Sequence, residues 1–384
     1  MTTENGPGPI YLDYNATTPV APEVLDAMLP YLQRHFGNPS SDHAFGRRAH
    51  EAVEEARAQV ALLIGSAPDE IVFTSGGTES NNLAIRGVAA GSESGRHRIV
   101  TSRVEHPATT GPCELLETKG WSISRLQVTD TGTLDPDAIA EALDTDVTLL
   151  TLILAQNETG AIMPIPAAAA AAKGLGIVFH TDAAQAIGKI PVSVDALGVD
   201  LLSIAGHKFY APKGVGALFV RRGTPMKPLL LGAGQERGRR PGTENVAGIV
   251  ALGAACQLAQ CRLANEGKRI QVLRDQLWQA LSDKIPGLVR HTPIDISLPN
   301  TLTVSFPGTL GRDVLAHADG VAASTGSACH SGQQTPSTTL TAMGVPHDVA
   351  MGVVRFSLGH DNHPAEVVSA ADILVKAHQE AISG

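Results

Sequence analysis

The chain has 384 residues, with 29 Lys and Arg against 38 Asp and Glu for a formal net charge of −9, a length that allows two domains or one large α/β unit. A hydrophobic share of 43% with 17% charged residues supplies a sizeable core and excludes wholesale disorder. Net acidity and 4% aromatics argue against a dedicated nucleic-acid binder or a polybasic membrane protein, and four cysteines make no disulfide framework, which fits a reducing, cytoplasmic compartment.

From the N-terminus, Met1 to Pro9 is polar and rich in Gly and Pro, with no apolar run, so no signal peptide is expected. From about residue 50 to 260, short apolar runs alternate with amphipathic stretches. The runs 71–73, 99–101, 148–154, 177–179, 201–204 and 216–220 read as strands. Between them, 80–90, 135–143 (opening on Asp-Pro) and 165–175 (holding six consecutive alanines) read as helices. This alternation predicts a largely parallel sheet with helices on both faces. A long helix is expected over 246–284, interrupted near Asn265-Glu266-Gly267, followed by strands at 300–306 and 353–358 and a helix at 364–381. The division expected is a large domain over 16–262 and a smaller α+β domain from 1–15 and 263–384. No apolar stretch is read as reaching a membrane span.

Chemistry-bearing residues collect just after the strands. Thr74-Ser75-Gly76-Gly77-Thr78-Glu79-Ser80 runs into a helix, so its backbone N–H groups and hydroxyls would suit a phosphate, though an ordinary capped βα turn has the same composition. Its spacing matches neither the Walker A loop nor the dinucleotide fingerprint. Asp182, in His180-Thr181-Asp182-Ala183-Ala184-Gln185, would point into the crevice of a parallel sheet or cap the next turn. Lys208, in Gly206-His207-Lys208-Phe209, is either a reactive amine or a lysine snorkelling from a strand end. Glu105-His106 and Gln156-Asn157-Glu158 end two further strands. A phosphate turn, a His, an Asn, an Asp and a His-Lys pair on five neighbouring strand ends make an inventory suited to pyridoxal phosphate. Such a site needs a Schiff-base lysine, an acid for the pyridinium nitrogen and a helix terminus for the phosphate.

A second constellation is Ser324-Thr325-Gly326-Ser327-Ala328-Cys329-His330-Ser331-Gly332, a small, polar setting that predicts an accessible loop, about residues 322–338, carrying a nucleophilic thiol or an incidental surface cysteine. Cys113, Cys256 and Cys261 lie in helical, Ala/Leu-rich contexts and read as buried packing residues. The Cys256–Cys261 spacing fits no zinc pattern, and His360 and His363 read as solvent-facing, so no metal site is expected. Arg355 is a charge inside an apolar strand and calls for a carboxylate, the protein's or a substrate's.

Together these residues resemble the NifS/IscS-type cysteine desulfurases of the class-V aminotransferase group, fold type I pyridoxal-phosphate enzymes. The resemblance is carried by Tyr11 to Thr18, Gly37 to Ser41, Thr74 to Asn82, Glu105 to Pro107, Asn157 to Gly160, His180 to Gln185, Gly206 to Lys208, Pro212 to Gly216, Arg240 to Asn245, Gly326 to Cys329 and Arg355 to Gly359. It implies that Lys208 holds pyridoxal 5'-phosphate as a Schiff base, that His106 stacks on the ring and assists proton transfer, and that Asp182 pairs with the ring nitrogen. Gln185 and Asn157 would lie near the ring oxygen, and Gly77, Thr78, Ser203 and His207 would hold the phosphate. Thr243 would reach the partner's phosphate in a homodimer, and Arg355 with Asn157 would hold the substrate carboxylate. The implied reaction converts L-cysteine to L-alanine through a persulfide on Cys329 that passes to an acceptor protein, in iron–sulfur cluster assembly or another thiolation pathway. Gln156 and His330 depart from the commonest pattern, and Ala328 to Ser331 also resembles selenocysteine lyases, so L-selenocysteine is the alternative substrate. A class-V aminotransferase is a further reading, and a colourless binding protein is a remote one. Neither nucleic acid nor a membrane is expected as a direct partner.

Overall fold

The computed structural model describes residues 8–92, 95–325 and 335–383. Its centre is a seven-stranded sheet made of β2 (Ile71–Thr74), β3 (Arg98–Ser102), β4 (Ser122–Leu126), β5 (Val147–Ile153), β6 (Val178–Asp182), β7 (Leu201–Ala205) and β8 (Gly216–Val220). The spatial order is β2-β8-β7-β6-β5-β3-β4, and β8 alone runs antiparallel to its neighbours. Strands β5, β7 and β8 are buried along their whole length, as expected where helices cover both faces and the runs are apolar without alternation. The large sheet is therefore mixed and mostly parallel, the α/β architecture expected.

Helices α1 (Pro22–Gln33) and α2 (Ala44–Ile64) precede the sheet, and α3 (Gly77–Gly91), α4 (Pro107–Glu117), α5 (Pro136–Ala142), α6 (Ile165–Lys173) and the short α7 (Val194–Leu197) connect its strands. Asp135 caps α5 by accepting from the Asp137 amide at 3.0 Å, as Asp-Pro foretells. In the alanine run, Ala168, Ala169 and Ala172 are buried while the intervening positions face outward, the spacing of one helical face.

The long helix α8 (Val246–Ser282) is continuous over 37 residues, about 55 Å at 1.5 Å per residue. The expected interruption at Asn265-Glu266-Gly267 does not occur. One mid-helix Gly costs only about 1 kcal/mol against Ala, and Arg269 bonds back to Glu266 at 2.9 Å across that turn. By length and composition α8 could also cross a membrane, contrary to the sequence reading, but half of its most apolar window is buried against the rest of the protein. Its first half packs on α1 and α2, and Ile270, Leu273, Leu277 and Leu281 of its second half belong to a separate core.

That second core joins Leu12 to residues of β10 (Thr301–Ser305), α9 (Gly311–Ala316), β11 (Val321–Ala322), β12 (Val353–Ser357) and α12 (Pro364–Ser383). Strand β10 lies between β12 and β9 (Val289–Arg290), and β1 (Ile10–Tyr11) pairs parallel with β11. Short helices α10 (Thr338–Ala342) and α11 (His347–Met351) follow β11 in the chain, and their Leu340 and Ala350 pack into the core of the large sheet instead. Asp13 bridges to Ser357, so the segment just after β1 lies beside β12.

Candidate active site

Strands β2, β3, β5, β6 and β7 point the same way, so the residues just past their ends gather at one edge of the sheet. There they line a cavity of about 330 Å³ whose wall includes Asn15, Gly77, Thr78, His106, Ile153, Asn157, Asp182, Gln185, His207, Lys208 and Arg355. A larger groove, about 760 Å³, opens at the opposite end of the strands beside Lys173, Val178 and Arg221. Its arginines are already paired, Arg221 with Asp195 and Arg222 with Asp69, and the residues at the strand ends line the smaller cavity instead. The chemistry therefore lies in the smaller cavity.

Lys208 ends a single 3-10 turn after β7, and its Nζ donates to the carbonyls of Asn15 at 2.8 Å and Ala16 at 2.9 Å. Desolvation and the nearby Arg355 guanidinium push its pKa down to about 8, against the opposing pull of Asp182 and Asp13. A fraction of this amine is thus neutral near physiological pH, as a nucleophile requires. Asp182, the last residue of β6, is buried and accepts from Asn81 Nδ2 at 2.6 Å and from the Ala184 amide at 2.9 Å. Turns rather than a helix come after it, so it fixes a turn and is not a helix cap.

His106 is the N-cap of α4, and its Nδ1 accepts from the Ala108 amide at 3.0 Å, which leaves Nε2 to carry the proton. Desolvation lowers its pKa, Asp182 pulls the other way and Lys208 adds to the lowering, so the ring is neutral. His207 bonds Thr17 Oγ1 through Nδ1 at 3.1 Å, and burial with Lys208 and two further lysines lowers its pKa to about 4. Gly77 and Thr78 open the 15-residue α3 at the cavity wall, and an added Cβ on Gly77 would stand 3.2 Å from the Ala205 Cβ. Glu79 accepts from the Ser75 amide at 2.7 Å and from Arg240 Nε at 2.8 Å, which moors the loop carrying the exposed Thr243 beside this turn.

Arg355 finds its carboxylate in Asp13, 2.6 Å from Nη2, while Nη1 donates to the Asn157 carbonyl at 2.9 Å. Its Nε is buried and has no hydrogen-bond partner among the described residues. Gln185 is buried and donates to the Asn15 carbonyl at 2.9 Å. Gln156, noted as a departure in the sequence, closes its turn by accepting from the Thr159 amide at 2.8 Å and holds Thr339 Oγ1 at 2.9 Å. Glu158 accepts from Ser337 and, at 2.9 Å, from Thr339, so this turn is tied to the start of α10.

Ser203 is fully buried in β7, bonds His180 Nε2 at 2.9 Å and is absent from the cavity wall: it lies two residues deeper on the same strand face as Ala205, which takes the wall position at the strand end. Thr243 lies outside the cavity of its own chain. Cys329, and with it 326–334 of the expected loop, lies outside the described residues. Of the other cysteines, Cys113 and Cys256 are buried as expected and burial pushes the Cys113 thiol up to about 12, but Cys261 is exposed on the outer face of α8. His360 is likewise half-buried, stacked on Tyr210 at 4.1 Å, and is not simply solvent-facing. No cluster suited to a metal ion occurs among the described residues. Asn15, Glu105 and Lys189 escaped sequence reasoning as site residues. The position of Glu105 directly before His106 and that of Asn15 within the Tyr11 to Thr18 motif are the signals that could have flagged two of them.

The Aminotransferase class-V family model matches residues 10–369. A cysteine desulfurase IscS of Dictyoglomus turgidum is 50% identical over 353 residues, 91% of this chain and 89% of the relative. Among solved structures, a NifS-like protein superposes with a TM-score of 0.90 at 36% identity, covering 98% of this chain and 99% of its own. Another, described as "SspA in complex with cysteine", gives 0.81 at 34% identity, covering 91% and 98%. The chain therefore belongs to the class-V aminotransferase family and, within it, to the cysteine desulfurases.

Proposed function

We propose that this enzyme is a pyridoxal-phosphate-dependent cysteine desulfurase acting on L-cysteine in the cavity around Lys208. The observation that carries the reading is the convergence, on one wall, of a partly neutral lysine, a buried aspartate, a helix N-terminus and an arginine. This donor set fits the cofactor at both ends. Gly77, Thr78 and His207 offer a crowded, donor-rich cradle for a phosphate. Asp182, held by Asn81, supplies a carboxylate for a protonated ring nitrogen.

When bound, the cofactor supplies an electron sink at the substrate α-carbon. The chain's own residues do the rest. Arg355 with Asn157 takes the substrate carboxylate, and displaced Lys208 serves as the base for the Cα proton. The neutral His106 can hand on or receive a proton at Nε2. Cys329 would act as a thiolate on the substrate sulfur: the new S–S bond forms as the Cβ–S bond breaks, Cβ keeps that electron pair and takes up one of the two thiol protons to become the methyl group of alanine, and the other proton stays on the Cys329 persulfide. The step is redox-neutral and needs no co-reactant. The persulfide then passes to an acceptor protein.

We also infer a cytoplasmic homodimer. Exposed Phe36 and Phe45, with ring centroids 5.8 Å apart, and the exposed Leu231 provide apolar surface for a second copy, and the moored Thr243 loop stands beside the α3 turn. The test is to load the purified protein with pyridoxal phosphate, reduce with borohydride, map the modified residue, and assay alanine release from L-cysteine and L-selenocysteine. Modification at Lys208 with turnover of L-cysteine supports the reading, and a colourless protein without turnover overturns it.

A further inference from the structure

A second lysine lies behind the cavity. Lys189 is one helical spacing beyond Gln185, and its Nζ donates to Gln185 Oε1 at 2.5 Å and to Asn15 Oδ1 at 2.8 Å. Both acceptors are amide oxygens, and Lys189 makes no ion pair among the described residues. Desolvation, with Lys208 and Arg355 adding to it, holds its pKa well below the ordinary lysine value. An amine so placed is hard to explain as filler, since an apolar side chain of the same length would avoid the desolvation.

The bonds around Gln185 have one consistent assignment. The Asn15 main-chain oxygen can only accept, so the atom of Gln185 facing it at 2.9 Å is the amide nitrogen. The other amide atom faces Nζ and is therefore the oxygen. The same Asn15 carbonyl also accepts from Lys208 Nζ at 2.8 Å. The amide nitrogen is thus turned toward the reactive lysine and the cavity, with one N–H still uncommitted to Asn15.

We propose that Lys189 is a positioning residue that sets the orientation of the Gln185 amide, so that Gln185 presents a donor and not an acceptor to the cavity's occupant. This rests on the reading of the cavity as the cofactor site. Without Lys189 the amide oxygen loses its donor and only the bond to the Asn15 carbonyl holds the amide, so its N–H is aimed less firmly at the occupant. A hydrogen bond of this kind decides about a tenfold difference in affinity.

The test uses equilibrium binding of pyridoxal phosphate to the purified apoprotein, together with the visible spectrum of the loaded protein. Lys189→Met and Gln185→Ala are each expected to weaken binding about tenfold and to shift the visible band. The double variant is expected to bind no more weakly than Gln185→Ala alone. Wild-type affinity in Lys189→Met, or additive losses in the double variant, would overturn the proposal. Should Lys189→Met not fold, Lys189→Leu, which likewise offers no donor, carries the same cycle with the same expectation. Failure of the wild type to bind the cofactor at all is a separate outcome, which contradicts the proposed function itself.

Discussion

Glu105 is a buried carboxyl whose protonation should be visible in the stability of the whole protein. One oxygen accepts from Ser102 Oγ at 2.6 Å and from the Ile153 amide at 3.0 Å, locking the end of β3 to the end of β5 beneath the cavity. The other is buried and has no partner among the described residues. Desolvation raises its pKa from 4.5 to about 8, overriding the two bonds that favour the anion, with a small push from Asp182. The folded state therefore keeps a proton that the unfolded state releases. Stability from this group is fully present below 4.5, falls as pH rises by about 1.4 kcal/mol per pH unit, and is flat again above about 8. Across the whole window that amounts to about 5 kcal/mol, an upper figure. Glu105→Gln is neutral at every pH and keeps an oxygen for Ser102 and Ile153. Urea denaturation of wild type and variant across the window isolates the group, because other titrations cancel in the difference. The variant should gain on the wild type steadily from about pH 5 to about pH 8. A difference that does not change with pH would refute the buried neutral acid.

Arg57 is buried and forks onto Glu236 with bonds of 2.8 and 2.9 Å, and Glu236 also accepts from the Phe73 amide at 2.8 Å. Arg57→Ala leaves that carboxylate uncompensated, and thermal denaturation should report a loss of about 3–5 kcal/mol, whereas a loss under about 1 would mean the pair is solvated. For Lys208, whose pKa is about 8, the neutral fraction rises with pH. Cofactor capture by the apoprotein, monitored by stopped-flow absorbance, should accelerate up to about pH 8 and then level off, and a rate that climbs through pH 10 would show an ordinary lysine instead.

The strand ends were the legible part of this protein. Buried parallel strands are short apolar runs, and each must give way to a turn, so Asp182, Lys208, His106 and Asn157 could be placed on one edge from order alone. Ser203 shows where that reasoning stops: being near a strand end does not say how deep a side chain sits, and Ser203 lies two residues below Ala205 on the same face, bonded to His180. The continuity of α8 was hidden because Gly267 weakens helix propensity locally, while the packing of both halves on different cores decides the outcome. Cys261 was misjudged for a related reason, since helical context gives no facing without the partner helices. Lys189 and Asn15 act through contacts between segments about 174 residues apart, which no local pattern records.

The central claim is that sulfur leaves L-cysteine by attack of the Cys329 thiolate. Its most direct test is single-turnover reaction of the loaded protein with L-cysteine, with alanine and intact-protein mass measured for the wild type and Cys329→Ala. The account predicts one alanine per site and one extra sulfur atom on Cys329 in the wild type, with neither in the variant although it still binds the cofactor. Alanine formed by Cys329→Ala at the wild-type rate would contradict it.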